Sequence, residues 1–166
     1  HSFIEGTAIM ICNYLKPHIH ICLKHPGGAI ALDLFFKSSI KLCIISVYLS
    51  LTDSTKCNLT QNIVINWIQQ AQQLNIHPII LGDFNTHDTV FSSTAKYKLI
   101  NFLHCSNMFD IGAHLNNTDH TWSNNSRSSR IDYIWTNTFN LQFLTSYYHD
   151  NSKTSTLSDY LILTFS

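Results

Sequence analysis

The sequence predicts one α/β domain in which two mixed β-sheets pack face to face and helices flank them. Short apolar runs bounded by turn residues recur along the chain and are typical of buried strands. Two stretches between these runs change to the three- and four-residue spacing of an amphipathic helix. Acidic residues end or interrupt the apolar runs at three places, which predicts a site where strand ends and loops converge. The 166 residues suffice for a single domain with a sizeable core.

Three strands are expected in the amino-terminal part of the chain. Residues 7–14 contain the apolar run AIMI, residues 29–36 follow the turn signal PGG, and residues 42–49 follow the polar break KSS. Their spacing fits an antiparallel meander. Because the runs are almost continuously apolar, burial on both faces of the sheet is expected.

Two helices are expected after this meander. In residues 58–74 apolar side chains recur every three or four positions. Gln61 falls outside the apolar stripe, and Asn58 or Thr60 is expected to cap the start of the helix. The stripe consists of Leu59, Ile63, Val64, Trp67, Ile68, Ala71 and Leu74. The second helix is expected at residues 94–105, with the inward side chains Ala95, Leu99, Phe102 and Leu103.

The last third of the chain returns to short apolar runs separated by loops rich in Asn and Ser. Strands are expected at residues 108–113, 121–122, 130–136, 141–148 and 157–165. Helices thus stand between two groups of strands, as the sandwich requires.

Charge and cysteine content exclude several classes of protein. Lysine plus arginine equals aspartate plus glutamate at ten each, so no global positive field attracts nucleic acid, and any DNA contact must rely on local donors. The five cysteines are odd in number and lack a C-x-x-C pair, which argues against a disulfide framework or zinc knuckle and favours a reducing, intracellular compartment. No apolar segment is long enough to span a bilayer, so no membrane partner is expected.

The stretch IILGDFN at residues 79–85 is the most informative part of the sequence. A short apolar run ends in a carboxylate and a carboxamide two residues apart, Asp83 and Asn85. On an extended chain these side chains project to the same side. A carboxylate can hold a hard cation or a water molecule, and the amide can donate to a phosphate oxygen. Alternatively, both residues form a turn that ends the strand, and the motif taken alone favours this turn.

Two further carboxylates occur in similar surroundings. Asp132 interrupts the apolar run RIDYIW beside Arg130, and Asp159 begins the last apolar run. A charge within an apolar stretch is costly unless it is paired or functional. The recurrence therefore favours a functional interpretation, in which Asp83, Asn85, Asp132 and Asp159 meet in one cleft.

The motifs GDFN, RIDY and SD, in this order, resemble those of the endonuclease/exonuclease/phosphatase superfamily, which includes deoxyribonuclease I and the apurinic endonucleases. The longer form GDFNTH is most similar to endonuclease domains of non-LTR retrotransposons. The similarity covers nearly the whole chain. It implies a four-layer α/β sandwich of the deoxyribonuclease I type, metal-dependent hydrolysis of DNA, and a reverse transcriptase domain in the intact element. A monomer is expected, and the nucleus is a candidate compartment.

The resemblance implies a role for each matched residue. Asp83 would align or deprotonate the attacking water, and Asn85 would bind the phosphate. Asp132 would orient a catalytic histidine, and Asp159 would contribute to the site or the water shell of Mg2+ or Mn2+. The family places a tyrosine beside the scissile phosphate at the end of its third strand, which makes Tyr48 a candidate; capping the edge of the core is an equally good interpretation of this residue.

Substrate contacts are also expected from Trp122, which could stack on DNA, and from Arg130, which could contact a phosphate. Two alternative functions stay open. One is a phosphatase of the same superfamily that acts on a small phosphoester. The other is a non-catalytic scaffold that binds nucleic acid or protein, which Tyr160 favours because it follows Asp159 where the family has a histidine.

Two departures from the family predict impaired activity. An unperturbed tyrosine, with a pKa of about 10, stays a neutral phenol, so Tyr160 is a poor general base and a poor cation. The family carries its metal-binding glutamate on strands that precede the segment matching residues 7–14, whereas the only glutamate here is Glu5. The chain is therefore expected to lack the first strands of the fold, as a fragment or as a decayed copy of a mobile element, and to bind metal weakly.

Overall fold

The computed structural model describes residues 6–37, 39–87, 94–124 and 126–144, and the backbone of 147–150 and 162–165. A six-stranded mixed sheet flanked by helices forms its centre, and the remaining strands form two-stranded sheets. The predicted α/β class is confirmed. The strands are β1 (Ile19–His25), β2 (Ala29–Phe35), β3 (Lys41–Tyr48), β4 (His77–Asp83), β5 (Met108–Asp110), β6 (Trp122–Ser123), β7 (Ser128–Ser129), β8 (Asp132–Asn137), β9 (Tyr147–Asp150) and β10 (Ile162–Phe165). The helices are α1 (Ser54–Gln73), α2 (Lys98–Cys105), α3 (Ile111–His114) and α4 (Thr138–Leu141).

The large sheet has the strand order β1-β2-β3-β4-β8-β5. Strands β1 to β3 form an antiparallel meander, as predicted. Strand β4 runs parallel to β3 and antiparallel to β8, which in turn pairs antiparallel with β5. Because two parallel neighbours need a long crossover connection, the 20 residues of α1 join β3 to β4.

The first strand of the meander is not the one predicted. Residues 6–12 have no regular structure, a 3-10 helix follows at Asn13–His18, and Met10 is 97% exposed. The partner of β2 is β1 instead, with His25 opposite Ala29. The tight turn that contains Gly27, at φ 73°, fixes this register, since the length of a hairpin turn decides which residues pair.

Helix α1 begins earlier than predicted, because Asp53 caps it and its carboxylate accepts a hydrogen bond from Lys56 N at 2.9 Å. The buried face is also rotated: Leu59 and Leu74, predicted to face inward, are 50% and 64% exposed. Gln61 is fully buried instead, because its amide oxygen accepts from Leu99 N and its amide nitrogen donates to Ala95 O. A buried amide is tolerated when both its ends are satisfied.

The second predicted helix is confirmed as a 3-10 turn, Ala95–Tyr97, followed by α2. Leu99 and Leu103 are buried as predicted, whereas Ala95 is exposed. Ala95 lies in the 3-10 turn, where the spacing of three residues per turn removes it from the α2 stripe.

Two of the later strands, β5 and β9, are shorter than predicted. Strand β5 ends at Asp110, whose carboxylate accepts from Gly112 N at 3.0 Å and so starts α3. Leu141 ends α4 instead of starting a strand, and strand β9 begins only at Tyr147. Of the predicted strand at 157–165, residues 162–165 form β10, and 157–161 lie outside the described residues. In the described part of the chain, no helix combines the length and hydropathy needed to cross a membrane.

The two faces of the large sheet have different surroundings. One face packs on α1 and α2 and buries Ile45, Tyr133 and Trp135 at 1% exposure or less. The other face carries Leu81 and Ile134, which belong to a separate apolar cluster. Side chains alternate between faces along a strand, so every second residue from Leu81 and Ile134 lies on the face opposite α1.

Candidate active site

Tyr48, Asp83 and Asp132 occupy one row across three neighbouring strands. Asp83 ends β4 and pairs with Tyr48 of β3 on one side and with Asp132 of β8 on the other. All three lie on the sheet face opposite α1, since Asp83 follows Leu81 by two residues and Asp132 precedes Ile134 by two. The register therefore brings these three predicted site residues together.

Asp83 and Asp132, hereafter the carboxylate pair, are direct cross-strand neighbours. Phe84 N donates to Ile131 O at 2.8 Å, so Phe84 and Ile131 stand at a hydrogen-bonding position of the antiparallel ladder, with Thr121 Oγ1 accepting from Ile131 N in place of Phe84 O. The adjacent pair, Asp83 and Asp132, is then of the non-hydrogen-bonded kind, in which the Cα atoms lie about 4.5 Å apart and the side chains are closest. Two like charges are thus held side by side.

Burial and repulsion perturb both carboxyl groups. Burial first, and then the charge of Asp132, raise the pKa of Asp83 to about 7, although a hydrogen bond from Asn85 N opposes the rise. Burial raises the pKa of Asp132, and a hydrogen bond from the Thr121 hydroxyl lowers it. Asp132 Oδ2 is buried and has no hydrogen-bond partner among the described residues. A strongly perturbed carboxyl group at the end of a strand is typical of a functional site.

Thr121 fixes the start of β8 and with it the position of Asp132. Its Oγ1 atom accepts hydrogen bonds from Ile131 N and Asp132 N, each at 3.1 Å, and its side chain is fully buried. Thr121 N in turn donates to Ser129 O at 3.0 Å. The hairpin of β6 and β7 therefore holds Asp132 from one side through a single hydroxyl group.

Asn85 forms the turn that the sequence alone favoured. Its backbone has a φ of 50°, and Asn85 N donates to Asp83 Oδ1 at 2.8 Å. Its side-chain nitrogen donates to Leu49 O at 2.7 Å, which ties the end of β4 to the residue after β3. An amide nitrogen carries two N–H donors, so with respect to the described residues one of them is left for a ligand. The turn thus holds Asn85 beside Asp83, and the two interpretations of the motif are compatible.

Gly82 explains why the motif starts with glycine. Its φ is 137°, a conformation that side chains rarely adopt, and a Cβ atom there would lie 1.9 Å from Val47 O. Only glycine allows β3 and β4 to approach at this point. The close approach keeps Tyr48 and Asp83, the next residues along the two strands, in register.

Arg130 lies in the interior, where it contacts Asp110 instead of an exposed phosphate site. It is 9% exposed, its Nη1 and Nη2 atoms bind the two carboxylate oxygens of Asp110 at 2.5 and 2.6 Å, and its guanidinium lies over the Tyr133 ring. A Cβ atom on Gly112 would come within 2.4 Å of Nη2. The structure thus gives Arg130 a structural contact that the sequence did not predict. Trp122, which pairs with Ser129, is half-buried.

Metal ligands are not gathered in the described part of the chain, where no three His, Cys, Asp or Glu side chains lie close enough to share an ion. Asp159 and Tyr160 lie outside the described residues. Of the predicted site residues in the described part, Tyr48, Asp83, Asn85 and Asp132 come together at the ends of β3, β4 and β8, whereas the guanidinium of Arg130 is engaged in its ion pair with Asp110.

Sequence reasoning missed two residues that build this site. Asp110 ends an apolar run as Asp83 does, so the same pattern could have identified it as a strand-ending carboxylate. Thr121 carries no such signal, because a single threonine beside a tryptophan occurs in many loops. Its importance depends on a backbone contact across ten residues, which no local pattern encodes.

Comparisons with known proteins identify the family and the fold. Residues 42–163 match the family described as endonuclease-reverse transcriptase. Among solved structures, the endonuclease domain of TRAS1, a telomere-specific non-LTR retrotransposon, is 12% identical with a TM-score of 0.60 over 89% of this chain and 68% of that chain. The 3'-5' exonuclease NExo from Neisseria meningitidis is 16% identical, with a TM-score of 0.64 over 84% and 64% of the two chains.

The catalytic domain of Xenopus laevis APE2 is 17% identical, with a TM-score of 0.63 over 85% of this chain and 55% of that chain. No curated protein sequence matches the chain. The chain spans between 55% and 68% of the three solved structures, and at these identities the likeness shows the fold. The chain therefore belongs to the endonuclease-reverse transcriptase family and has the deoxyribonuclease I-like fold of the endonuclease/exonuclease/phosphatase superfamily.

Proposed function

We propose that the chain is the catalytic part of a DNA endonuclease that hydrolyses phosphodiester bonds. The observation that carries the proposal is the carboxylate pair beside Tyr48, in one row at the converging ends of three strands. Structural ion pairs neutralise their charges, whereas this pair keeps two like charges together in a partly buried place. Such an arrangement costs stability and is retained where the charge has chemistry to perform.

Asp83 is the general base of the proposed reaction. A carboxyl group with a pKa of about 7 is half ionised near neutral pH and accepts a proton far better than an ordinary aspartate. It takes the proton of a water molecule whose oxygen attacks the phosphorus atom, while the bond from phosphorus to the leaving oxygen breaks. We assign the phosphate oxygens to the second N–H of Asn85 and the phenol of Tyr48 as hydrogen-bond donors.

A divalent cation, Mg2+ or Mn2+, would neutralise charge on the phosphate and on the leaving oxygen. Oxygen ligands suit these ions, and the carboxylate of Asp159, outside the described residues, is the proposed ligand. The described residues alone do not form such a site. The steps assigned above to Asp83, Asn85 and Tyr48 do not depend on it.

We propose further that turnover is slow. Tyr160 replaces the histidine that the family's motif carries, and a neutral phenol cannot supply the positive charge or the proton transfer of an imidazole near neutral pH. General acid–base groups contribute roughly 10²–10⁴-fold to rates, so a loss in this range is expected. In an intact element the domain would act beside a reverse transcriptase, a proposal that the description of the matching family supports.

Nicking of a supercoiled plasmid, with protein in excess and Mg2+ or Mn2+ added, tests the proposal. We expect slow nicking that Asp83→Asn abolishes, that exposed Asp119→Asn leaves unchanged, and that Tyr160→His accelerates by roughly 10²-fold or more. Nicking that persists in Asp83→Asn would contradict the role of the carboxylate pair.

The second candidate function is a scaffold that binds nucleic acid without cleaving it, which the substitution of histidine by Tyr160 favours. It predicts DNA affinity that is independent of metal, and no nicking by wild-type protein or by Tyr160→His. The same plasmid assay, combined with a DNA-binding titration in the presence and absence of Mg2+, separates the two functions.

A further inference from the structure

A polar cavity of about 320 Å3 lies where β4 ends and β8 begins, and it takes no part in the chemistry proposed above. Besides Ala113 and the ring of Tyr133, its lining is polar throughout. The polar side chains are His87, Thr118, His120, Ser128, Ser129 and Arg130. Both histidines and Ser128 are exposed at its mouth.

The position of the cavity follows from the register of β4 and β8. These antiparallel neighbours place the end of β4 against the start of β8, with Asp83 opposite Asp132. His87 follows Asp83 by four residues, and Ser129 precedes Asp132 by three, so the two walls of the cavity are the segments that extend both site strands. The cavity therefore lies at the same end of the sheet as the carboxylate pair.

The chemistry of the lining is that of an anion site. Hydroxyl and imidazole groups supply hydrogen-bond donors, and among the described residues no carboxylate lines the cavity. Asp110, the ion-pair partner of the lining residue Arg130, is neutralised because both its oxygens bind Arg130 and Oδ1 also accepts from Gly112 N. The Tyr133 hydroxyl is already bonded to Arg130 O at 2.9 Å and Thr86 O at 3.1 Å, so the ring forms a fixed part of the wall.

We propose that this cavity binds the backbone phosphate next to the scissile one, on a nucleic-acid strand that crosses the ends of β4 and β8. The proposal rests on the proposed function, since the neighbouring phosphate is defined by the one that is cut. A nucleic-acid strand carries one phosphate per nucleotide, so a strand bound at the carboxylate pair brings another phosphate close to it. A chain with no net charge must obtain its phosphate contacts from such local donors.

Hydrogen bonds fix the walls of the cavity relative to Asp132. Gly112 leaves room for Arg130 to bind Asp110, and this fixes one side of the cavity. Ser129, on the other side, accepts from Thr121 N, and Thr121 in turn holds Asp132. A phosphate bound between these walls would therefore set the register of the strand relative to the carboxylate pair.

The test is binding of a short DNA duplex to the double variant His87→Ala/His120→Ala. Two hydrogen bonds that the imidazoles donate to the charged phosphate are lost, so we expect the Kd to rise about tenfold or more. His114→Ala, at an exposed histidine of α3 that does not line the cavity, should bind like wild type. The variant His87→Gln/His120→Gln keeps side-chain donors, so we expect it to bind DNA with a Kd between those of wild type and the double alanine variant. Circular dichroism spectra of both double variants that match wild type show that the fold is intact.

A duplex with one uncharged methylphosphonate next to the scissile position identifies the phosphate. We expect this replacement to weaken binding to wild type but to add little in the double alanine variant, because the contact is already lost. Equal losses in both proteins, or wild-type affinity in the double alanine variant, would overturn the proposal, and so would a lack of DNA binding by wild type.

Inorganic phosphate distinguishes a nucleic-acid site from a site for the free ion. If phosphate alone shifts the NMR signals of both histidines while the methylphosphonate has no effect on DNA binding, the assignment to nucleic acid is wrong. DNA binding that depends on both histidines, without nicking under any metal condition, would leave this site standing and overturn the proposed hydrolysis. Nicking that survives the double alanine variant with unchanged Kd would do the reverse.

Discussion

Two pairs of charged side chains are partly or fully buried near the start of β8. The charges are opposite in one pair and alike in the other. Asp110 and Arg130 form a buried ion pair in which two short hydrogen bonds match guanidinium to carboxylate. Asp83 and Asp132, one strand away, face each other with like charge, and Asp132 Oδ2 has no partner in the described part of the chain. At this end of the sheet, the pair with opposite charges stabilises the fold, and the pair with like charges is the one expected to take part in catalysis.

The ion pair also shows why an arginine beside a catalytic motif need not contact the substrate. The chain has two arginines, both in the segment that precedes β8. Arg130 is buried and paired, whereas Arg127 is exposed in the turn between β6 and β7. Burial and the presence of a carboxylate partner distinguish the two, and the sequence displays neither.

Breaking the ion pair should have the largest effect on stability. Arg130→Ala leaves the Asp110 carboxylate buried without its partner, so we expect a loss of about 3–5 kcal/mol in the free energy of unfolding. Arg127→Ala, at the exposed arginine, should cost less than about 0.5 kcal/mol. Urea denaturation of both variants measures this difference, and similar losses in the two would show that the buried pair is not structural.

Removing the hydroxyl that holds Asp132 should have the next largest effect. Thr121→Val keeps the shape of the side chain but deprives Ile131 N and Asp132 N of their acceptor, so we expect a loss of about 1–3 kcal/mol. Thr121→Ser keeps the hydroxyl and should be closer to wild type. Urea denaturation of the two variants checks the prediction, which fails if valine and serine are tolerated equally.

Relieving the like-charge contact should raise stability, with the smallest effect of the three. The pKa of Asp83 is higher in the folded than in the unfolded chain, so its contribution to stability is present below about pH 4 and is lost as the pH rises through about 7. Asp132→Asn removes part of this loss of stability, because the charge of Asp132 is one of the causes of the raised Asp83 pKa. Discounted for the partial exposure of Asp83, we expect the variant to be more stable than wild type by about 1 kcal/mol above pH 7 and no more stable at low pH.

Stability curves of wild type, Asp132→Asn and the exposed control Asp119→Asn as a function of pH check this sign. A gain that is equal at all pH values, or one shared by the control, would mean that the carboxylate pair is not responsible.

The sequence predicted most of the sheet and the residues at its functional end. Apolar runs bounded by turn residues identified β2, β3 and β4, because burial and turn chemistry are both local properties. The prediction failed at residues 7–14, where the apolar run pairs with no strand of the described residues. It also failed at Gln61, which is buried because it donates to Ala95 O and accepts from Leu99 N, 34 and 38 positions away. Pairing across the chain decided both cases.

The candidate site divides in the same way. Asp83 and Asp132 were visible as carboxylates within apolar runs, and the register of β4 and β8 places them opposite each other. The partners that control them were not visible. Thr121 accepts hydrogen bonds from the backbone at the start of β8, and Asp110 forms the buried ion pair with Arg130. Both contacts exist only in the folded chain.

A carbon-13 NMR titration of the Asp83 carboxyl group is the sharpest test of the carboxylate pair, because it requires no activity. The Asp83 signal is assigned by its disappearance in Asp83→Asn. We expect a midpoint near pH 7 in wild type and a clear fall of that midpoint in Asp132→Asn. An ordinary midpoint, at about pH 4, in wild type would contradict it, and so would a midpoint that Asp132→Asn leaves unchanged.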